Sequence, residues 1–270
     1  MRVLVTGAAG KLGAYVVEAL AGHEVVTWET RQQVDLSDPE SIARGLEQAR
    51  AEVIIHTAAM SAIAECHQQP ELARRINCQA VGQLAGSGAR LIHVSTDLVF
   101  GGDRAPYCED DPPQPLSVYG RTKAEAEPLV VHAGGTVVRV ALLFGPSPRG
   151  GFFDSQLVNL RSGKAMSLFV DEWRTPLYLG SAAEALALLV DHPHPGILHV
   201  GGSLRMSRYE MGRALAEAIG ADPDLIRPNR CDEVDFPEPR PTDVSLASDR
   251  FRTLFPGWND LDVAQALAGR

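Results

Sequence analysis

Lysine is almost missing from this chain: of its 25 basic residues only Lys11, Lys123 and Lys164 are lysines. Cysteine is scarce as well. Cys66, Cys78, Cys108 and Cys231 are scattered with no C-x-x-C pair, which reads as reduced cytosolic thiols and excludes a disulfide or zinc framework. Basic runs are absent and the formal net charge is −9, so nucleic acid is not an expected partner. No apolar run approaches the length of about 18 residues that a membrane helix needs. An apolar strand pattern starts at Arg2 and leaves no room for a leader, so no membrane partner and a cytoplasmic location are expected. Internal repeats and low-complexity tracts are also lacking. The run Asp191-His192-Pro193-His194, with His199 beyond it, has no regular ligand spacing, and no metal is expected there.

What is present is organised around residues 117–123, Ser-Val-Tyr-Gly-Arg-Thr-Lys. Tyr119 and Lys123 are four residues apart, which on a helix puts both on one face. An ammonium beside a phenol favours the phenolate, so Lys123 is expected to lower the pKa of Tyr119 and make it an acid–base group. Taken alone, this spacing describes many solvent-facing pairs. Two further stretches change its meaning. Arg2-Val3-Leu4-Val5-Thr6 reads as a buried parallel strand, followed at once by Gly7-Ala8-Ala9-Gly10-Lys11-Leu12-Gly13 and an apolar pattern at helical spacing. Strand, glycine turn and helix form a phosphate cradle. Gly7 permits the turn, Gly10 the approach of a pyrophosphate, Gly13 the close packing of helix on strand, and the helix amino terminus offers free N–H groups. The other stretch, Ile92 to Gly101, is a buried strand ending in Ser95-Thr96-Asp97, where a hydroxyl can donate to a carbonyl oxygen as charge develops on it.

With these three stretches in order, the chain resembles the extended short-chain dehydrogenase/reductases. STDLVFGG, VYGRTKAEAE, residues 139–145, residues 239–246 and the Trp258 segment resemble more narrowly the dTDP-4-dehydrorhamnose reductase family. The resemblance implies NADP or NAD as cofactor and a nucleotide-linked sugar as substrate, most specifically dTDP-4-dehydrorhamnose reduced to dTDP-rhamnose. It implies that Tyr119 donates a proton to the nascent alkoxide, that Lys123 holds the nicotinamide ribose, and that Thr96, with Ser95 as the alternative, bonds the carbonyl oxygen. Asn77 matches the family's helix asparagine that orders the lysine through water. Asp35 and Leu36 match the pair that passes the adenine, and Ala58, Ala59 and Met60 the small segment against which a ribose lies. Trp173 and Arg174 are candidates for base and diphosphate contact, with Asp97 and Arg240 also on the substrate side. One departure is Ala64 before Glu65, where the family carries an acidic segment. Related sugar dehydratases place a glutamate where Leu98 stands, which disfavours elimination. A nucleotide-sugar epimerase remains a rival, and so does a non-catalytic cofactor-binding role, because the regulatory subunit of methionine adenosyltransferase resembles the same family.

Cofactor choice is written ambiguously at the end of the second strand. Glu29 can take the adenosine ribose hydroxyls of NAD, whereas Arg31 can meet a 2′-phosphate, and the pair reads as NADP-capable or dual. Elsewhere the pattern predicts helices over 38–49, opened by Asp38 and Pro39, and over 71–84, 152–160, 181–190, 208–219 and 260–268. Strands are predicted over 24–28, 53–56, 136–140, 166–170 and 196–200. Residues 101–116, with Asp103, Cys108, Glu109, Asp110 and Asp111, read as a solvated connection, and 222–243 as a substrate-side segment. The expected fold is α/β: a Rossmann-type doubly wound parallel sheet with a small carboxyl-terminal substrate-binding lobe. The expected division is 1–150 for NAD(P) binding, with 176–200 returning to the sheet, and 151–175 plus 201–270 for the lobe. Oligomeric state is left open, a homodimer being compatible with the sequence.

Overall fold

The computed structural model describes residues 1–147 and 150–267. Six apolar segments form one parallel sheet: β1 (Arg2–Thr6), β2 (Glu24–Trp28), β3 (Val53–His56), β4 (Arg90–Thr96), β5 (Thr136–Val140) and β6 (Gly196–Val200). Their spatial order is β6-β5-β4-β3-β1-β2. Val3 therefore faces Val25 on one side and Val53 on the other. The chain leaves β1 for β2 in one direction and returns to β3 in the other, so the carboxyl edge opens into a crevice between them, as ligand-binding sheets of this kind do.

Both faces are covered. Helices Lys11–Ala19 and Leu179–Asp191 bury Leu12, Val16, Leu186 and Leu189 on one face. Helices Pro39–Ala49 and Val118–His132 bury Ile42, Ala126 and Val130 on the other. Helices Phe152–Arg161, Arg208–Ala218 and Val263–Leu267 share a separate core around Phe153, Leu168, Leu215 and Ile226. A parallel pair, Met166–Phe169 with Ile226–Asn229, completes that lobe. Ser207 and Glu210 form a reciprocal cap that starts helix 208–218.

Four expectations need correction. The helix read over 71–84 is broken into Pro70–Arg74, a wide π-type turn Arg75–Gln79, and Ala80–Ala85. Periodicity cannot show an inserted residue, because the apolar face resumes in phase beyond it. The connection 101–116 is only partly solvated. Tyr107 stacks on Phe100 at 4.1 Å between ring centroids, and buried Glu109 accepts from the backbone of His199 in β6. The expected lobe, 151–175 plus 201–270, takes in residues 249–258. Phe251 instead joins the core under the sheet, and the Trp258 indole donates to the Ser181 carbonyl. The last helix is Val263–Leu267, and the Ala268 end of that expectation lies outside the described residues.

Candidate active site

Gly7 holds φ +68°, and a Cβ on it would lie 2.9 Å from the Ala58 backbone. A Cβ on Gly13 would collide with the Gly7 carbonyl. Gly10 N–H donates to Gly7 O, and helix 11–19 begins with no side-chain cap and no acidic residue in its first turn. A turn stripped of side chains, leading into a helix start that offers uncompensated N–H groups, fits a dinucleotide diphosphate.

A cleft of about 630 Å³ runs from this turn along the sheet edge. Gly7, Gly10, Lys11 and Leu12 line one end, Ser95, Thr96, Asp97, Tyr119 and Lys123 the middle, and Glu172, Arg174, Arg208 and Arg240 the far end. Gly7, Glu29, Ala58 and Ala59 are shared with a smaller cavity of about 330 Å³, which Arg31, Asp35, Leu36 and Met60 also line. That second cavity, between the ends of β1 and β2, suits a nucleoside. Arg31 is tied to Asp35 at 2.9 Å yet remains mostly exposed.

Ser117 caps helix 118–132, its hydroxyl accepting from Gly120 N–H, so Tyr119 stands in the first turn and faces the cleft. Burial and the Asp97 carboxylate push its phenol up, while a hydrogen bond with the Thr96 hydroxyl pulls the other way. The expectation that Lys123 lowers this phenol is corrected. The Lys123 ammonium, one turn deeper and almost fully buried, lies 3.0 Å from Nε2 of His93. Burial brings Lys123 down to about 7, against the opposing pull of Glu127 and Cys78.

Thr96 and Ser95 are sorted by their partners. The Thr96 hydroxyl faces Asp97 and Tyr119 at the cleft. Ser95 lines the cleft too, but its hydroxyl donates at 2.6 Å to Glu127, a buried carboxylate held at 2.7 Å by Arg139. Thr96 also donates to a carboxylate, but over a longer 3.1 Å to Asp97 and beside Tyr119, whereas the Ser95 proton is held more tightly by Glu127, so Thr96 is the more readily redirected donor. Asn77, on the π turn, does not reach the cleft. Its side-chain amide accepts from Met60 N–H and donates to Met60 O and to Thr122 Oγ1, fixing the Ala58–Met60 segment to the Tyr119 helix.

At the far end Arg174 is not a free cation. It is buried, 3.7 Å from Asp97 and 3.2 Å from Glu172, and donates to the carbonyls of Trp173, Thr242 and Pro241. Trp173 is outside the cleft, its ring covered by Arg205 at 4.0 Å. Glu172 and Arg208 were not singled out from sequence. Glu172 is fully buried and gathers Arg174, Arg208 at 2.9 Å and Arg240 at 2.9 Å. Three cations hold its carboxyl below the usual carboxylate range despite burial. The sequence signal was faint, because Glu172 and Arg208 are 36 residues apart and each looks like an ordinary polar residue at a turn or a helix start.

The sequence profile of the RmlD substrate binding domain matches residues 1–260. The chain belongs to this family. It is 36% identical over 261 residues to a dTDP-4-dehydrorhamnose reductase of Mycolicibacterium smegmatis, covering 92% of this chain and 79% of that one. It is 30% identical to the methionine adenosyltransferase 2 subunit beta of Mus musculus, over 94% of this chain and 82% of that one. Its backbone matches a crystal structure of a dTDP-4-dehydrorhamnose reductase from Clostridium acetobutylicum with TM-score 0.90 and 26% identity, covering 100% of this chain and 98% of that one. The relatives of this chain thus include a protein named as a reductase and one named as a subunit of a different enzyme.

Proposed function

We propose that the protein reduces the ketone of a nucleotide-linked sugar with NADPH or NADH, with dTDP-4-dehydrorhamnose, converted to dTDP-rhamnose, as its first candidate substrate. The observation that carries this reading is the continuity of one cleft, which places the glycine turn, Thr96, Tyr119 and two arginines along a single path. The reductase from Mycolicibacterium smegmatis supports the substrate class.

The reduced nicotinamide supplies the hydride when bound. Everything else falls to side chains of this chain. Thr96 donates to the carbonyl oxygen and strengthens that bond as negative charge grows there. Tyr119, whose raised pKa keeps it a neutral phenol at neutral pH, gives its proton to the alkoxide. Arg208 and Arg240, each paired with one oxygen of Glu172, present guanidinium edges to the substrate diphosphate. Arg174 braces Asp97 and Glu172 rather than gripping the substrate itself.

The decisive assay follows loss of reduced-nicotinamide absorbance with dTDP-linked keto-sugar. Wild type is expected to turn over, and Tyr119→Phe to lose roughly 10²- to 10⁴-fold in rate with cofactor affinity unchanged. An undiminished rate in that variant removes Tyr119 from the chemistry. The methionine adenosyltransferase relative supports a second reading, a cofactor-binding subunit without turnover. That reading predicts cofactor binding, no oxidation with any keto-sugar nucleotide, and a stable complex with another enzyme.

A further inference from the structure

The buried end of Lys123 meets a part of the protein that the proposed chemistry does not use. Beneath the sheet edge, β4 supplies His93 and β3 supplies His56, both fully buried and stacked with ring centroids 5.3 Å apart at 18°. Two imidazoles inside a sheet are costly, because neither ring can be fully hydrogen-bonded there. Nδ1 of His93 and Nε2 of His56 have no hydrogen-bond partner among the described residues. His56 is anchored from behind, its Nδ1 2.6 Å from the Thr6 hydroxyl, which also accepts from Ala58 N–H. The nitrogen of this pair aimed at the functional site is Nε2 of His93, 3.0 Å from the Lys123 amino group.

We propose that His93 is a positioning residue for Lys123: its Nε2 accepts the ammonium's hydrogen bond and seats the amino group at the cleft that Lys123 and Tyr119 both line, while the stacked His56 ring holds that imidazole in register. The inference rests on the reductase reading only for its kinetic consequence. An ammonium has donors and no acceptor, so the geometry assigns His93 the tautomer with its proton on Nδ1. A neutral acceptor is what the site needs, and burial, with Lys123 and His56 adjoining, keeps His93 neutral far below its ordinary value. The other groups facing the ammonium are Glu127 one helical turn on, Cys78 of the π turn and His56 behind His93. Glu127 is engaged by Arg139 and Ser95, so His93 is the close hydrogen-bond partner of the amino group. Removing the acceptor disfavours the charged form, so Lys123 should lose its proton at lower pH.

The scarcity of lysine makes this measurable without any substrate. A protein labelled with ¹³C-lysine gives signals from three residues, and Lys123→Met identifies the relevant one. In wild type the Lys123 signal is expected to titrate near pH 7. His93→Leu should bring its midpoint about one pH unit lower, and His93→Gln, which keeps an acceptor, should restore most of the difference. An unmoved midpoint in a folded His93→Leu protein overturns the proposal. Should that variant not fold, the wild-type histidine ¹⁵N spectrum at pH 6 decides. A protonated Nδ1 and bare Nε2 on His93 support the proposal, and a protonated Nε2 overturns it. If the reductase reading also holds, the alkaline limb of the kcat profile follows the same midpoints in the same variants. Its failure alongside intact titration shifts counts against the reductase reading and not against the seat.

Discussion

Glu29 and Arg31 leave the same strand end and recommend opposite cofactors. Glu29 lines both cavities and its carboxylate can take two ribose hydroxyls, while Arg31 shares its charge with Asp35. Because these groups are largely exposed, solvent screens each of them, and neither excludes a cofactor outright. Glu29→Gln is expected to raise the ratio of NADPH to NADH affinity by roughly two- to five-fold, and Arg31→Ala to lower it by a similar factor. Calorimetric titration of both cofactors into both variants checks this, and equal ratios throughout would leave the nucleoside cavity wrongly assigned. At the same scale Ser95 and Thr96 show why adjacent hydroxyls are not interchangeable. Alternation along β4 sends one toward buried Glu127 and the other toward the cleft.

Two short elements hold the site together. The glycine turn is read directly from the spacing of Gly7, Gly10 and Gly13, because each position has a steric demand that only glycine meets. Gly13→Ala is expected to abolish cofactor binding and lower stability, since its methyl would overlap the Gly7 carbonyl and the Ala8 backbone. Cofactor titration and thermal melts would show it, and tight binding by that variant would mean the helix need not lie so close. The π turn Arg75–Gln79 was hidden in an apparently continuous helix. Asn77, conspicuous in sequence as a polar residue within an apolar pattern, proves to be a clamp on Met60. Asn77→Leu leaves the buried Met60 N–H without its partner and the Met60 carbonyl with the Cys66 thiol alone. A loss of roughly 1–3 kcal/mol in denaturant unfolding is expected, whereas an unchanged midpoint would show that the clamp contributes nothing.

Across the whole molecule, buried imidazoles make stability depend on pH. Burial lowers His56 and His199 to about 3 each, and His93 falls well below the ordinary histidine value for the same reason. Their unfolded values lie near ~6.5, so the unfolded chain binds more protons between those limits. The histidine contribution is then complete above about pH 6.5 and lost progressively as pH falls. Lys123 has the same slope over a higher window, because its folded value of about 7 is below the unfolded 10.5. A melting temperature about 10 °C lower at pH 5 than at pH 7 is expected. A flat profile across that range would mean these rings are solvated rather than neutral and enclosed. Among the described residues no helix is long and apolar enough to cross a membrane.

By itself the sequence determined the elements whose residues are neighbours along the chain. The β-branched strands, the glycine turn, the helix carrying Tyr119 and Lys123 four residues apart, and the small-residue segment after β3 all follow from local sterics and short-range hydrogen bonding. What only the tertiary structure decided are contacts between residues far apart in sequence, where spacing carries no information. The strand order brings His93 of β4 beneath Lys123, and His56 of β3 behind it. Packing of the lobe gathers Arg174, Arg208 and Arg240 on Glu172, and buries Arg174 between Asp97 and Glu172. Phe251 joins the sheet core for the same reason: an amphipathic segment states that it must be buried, and the fold chooses against what.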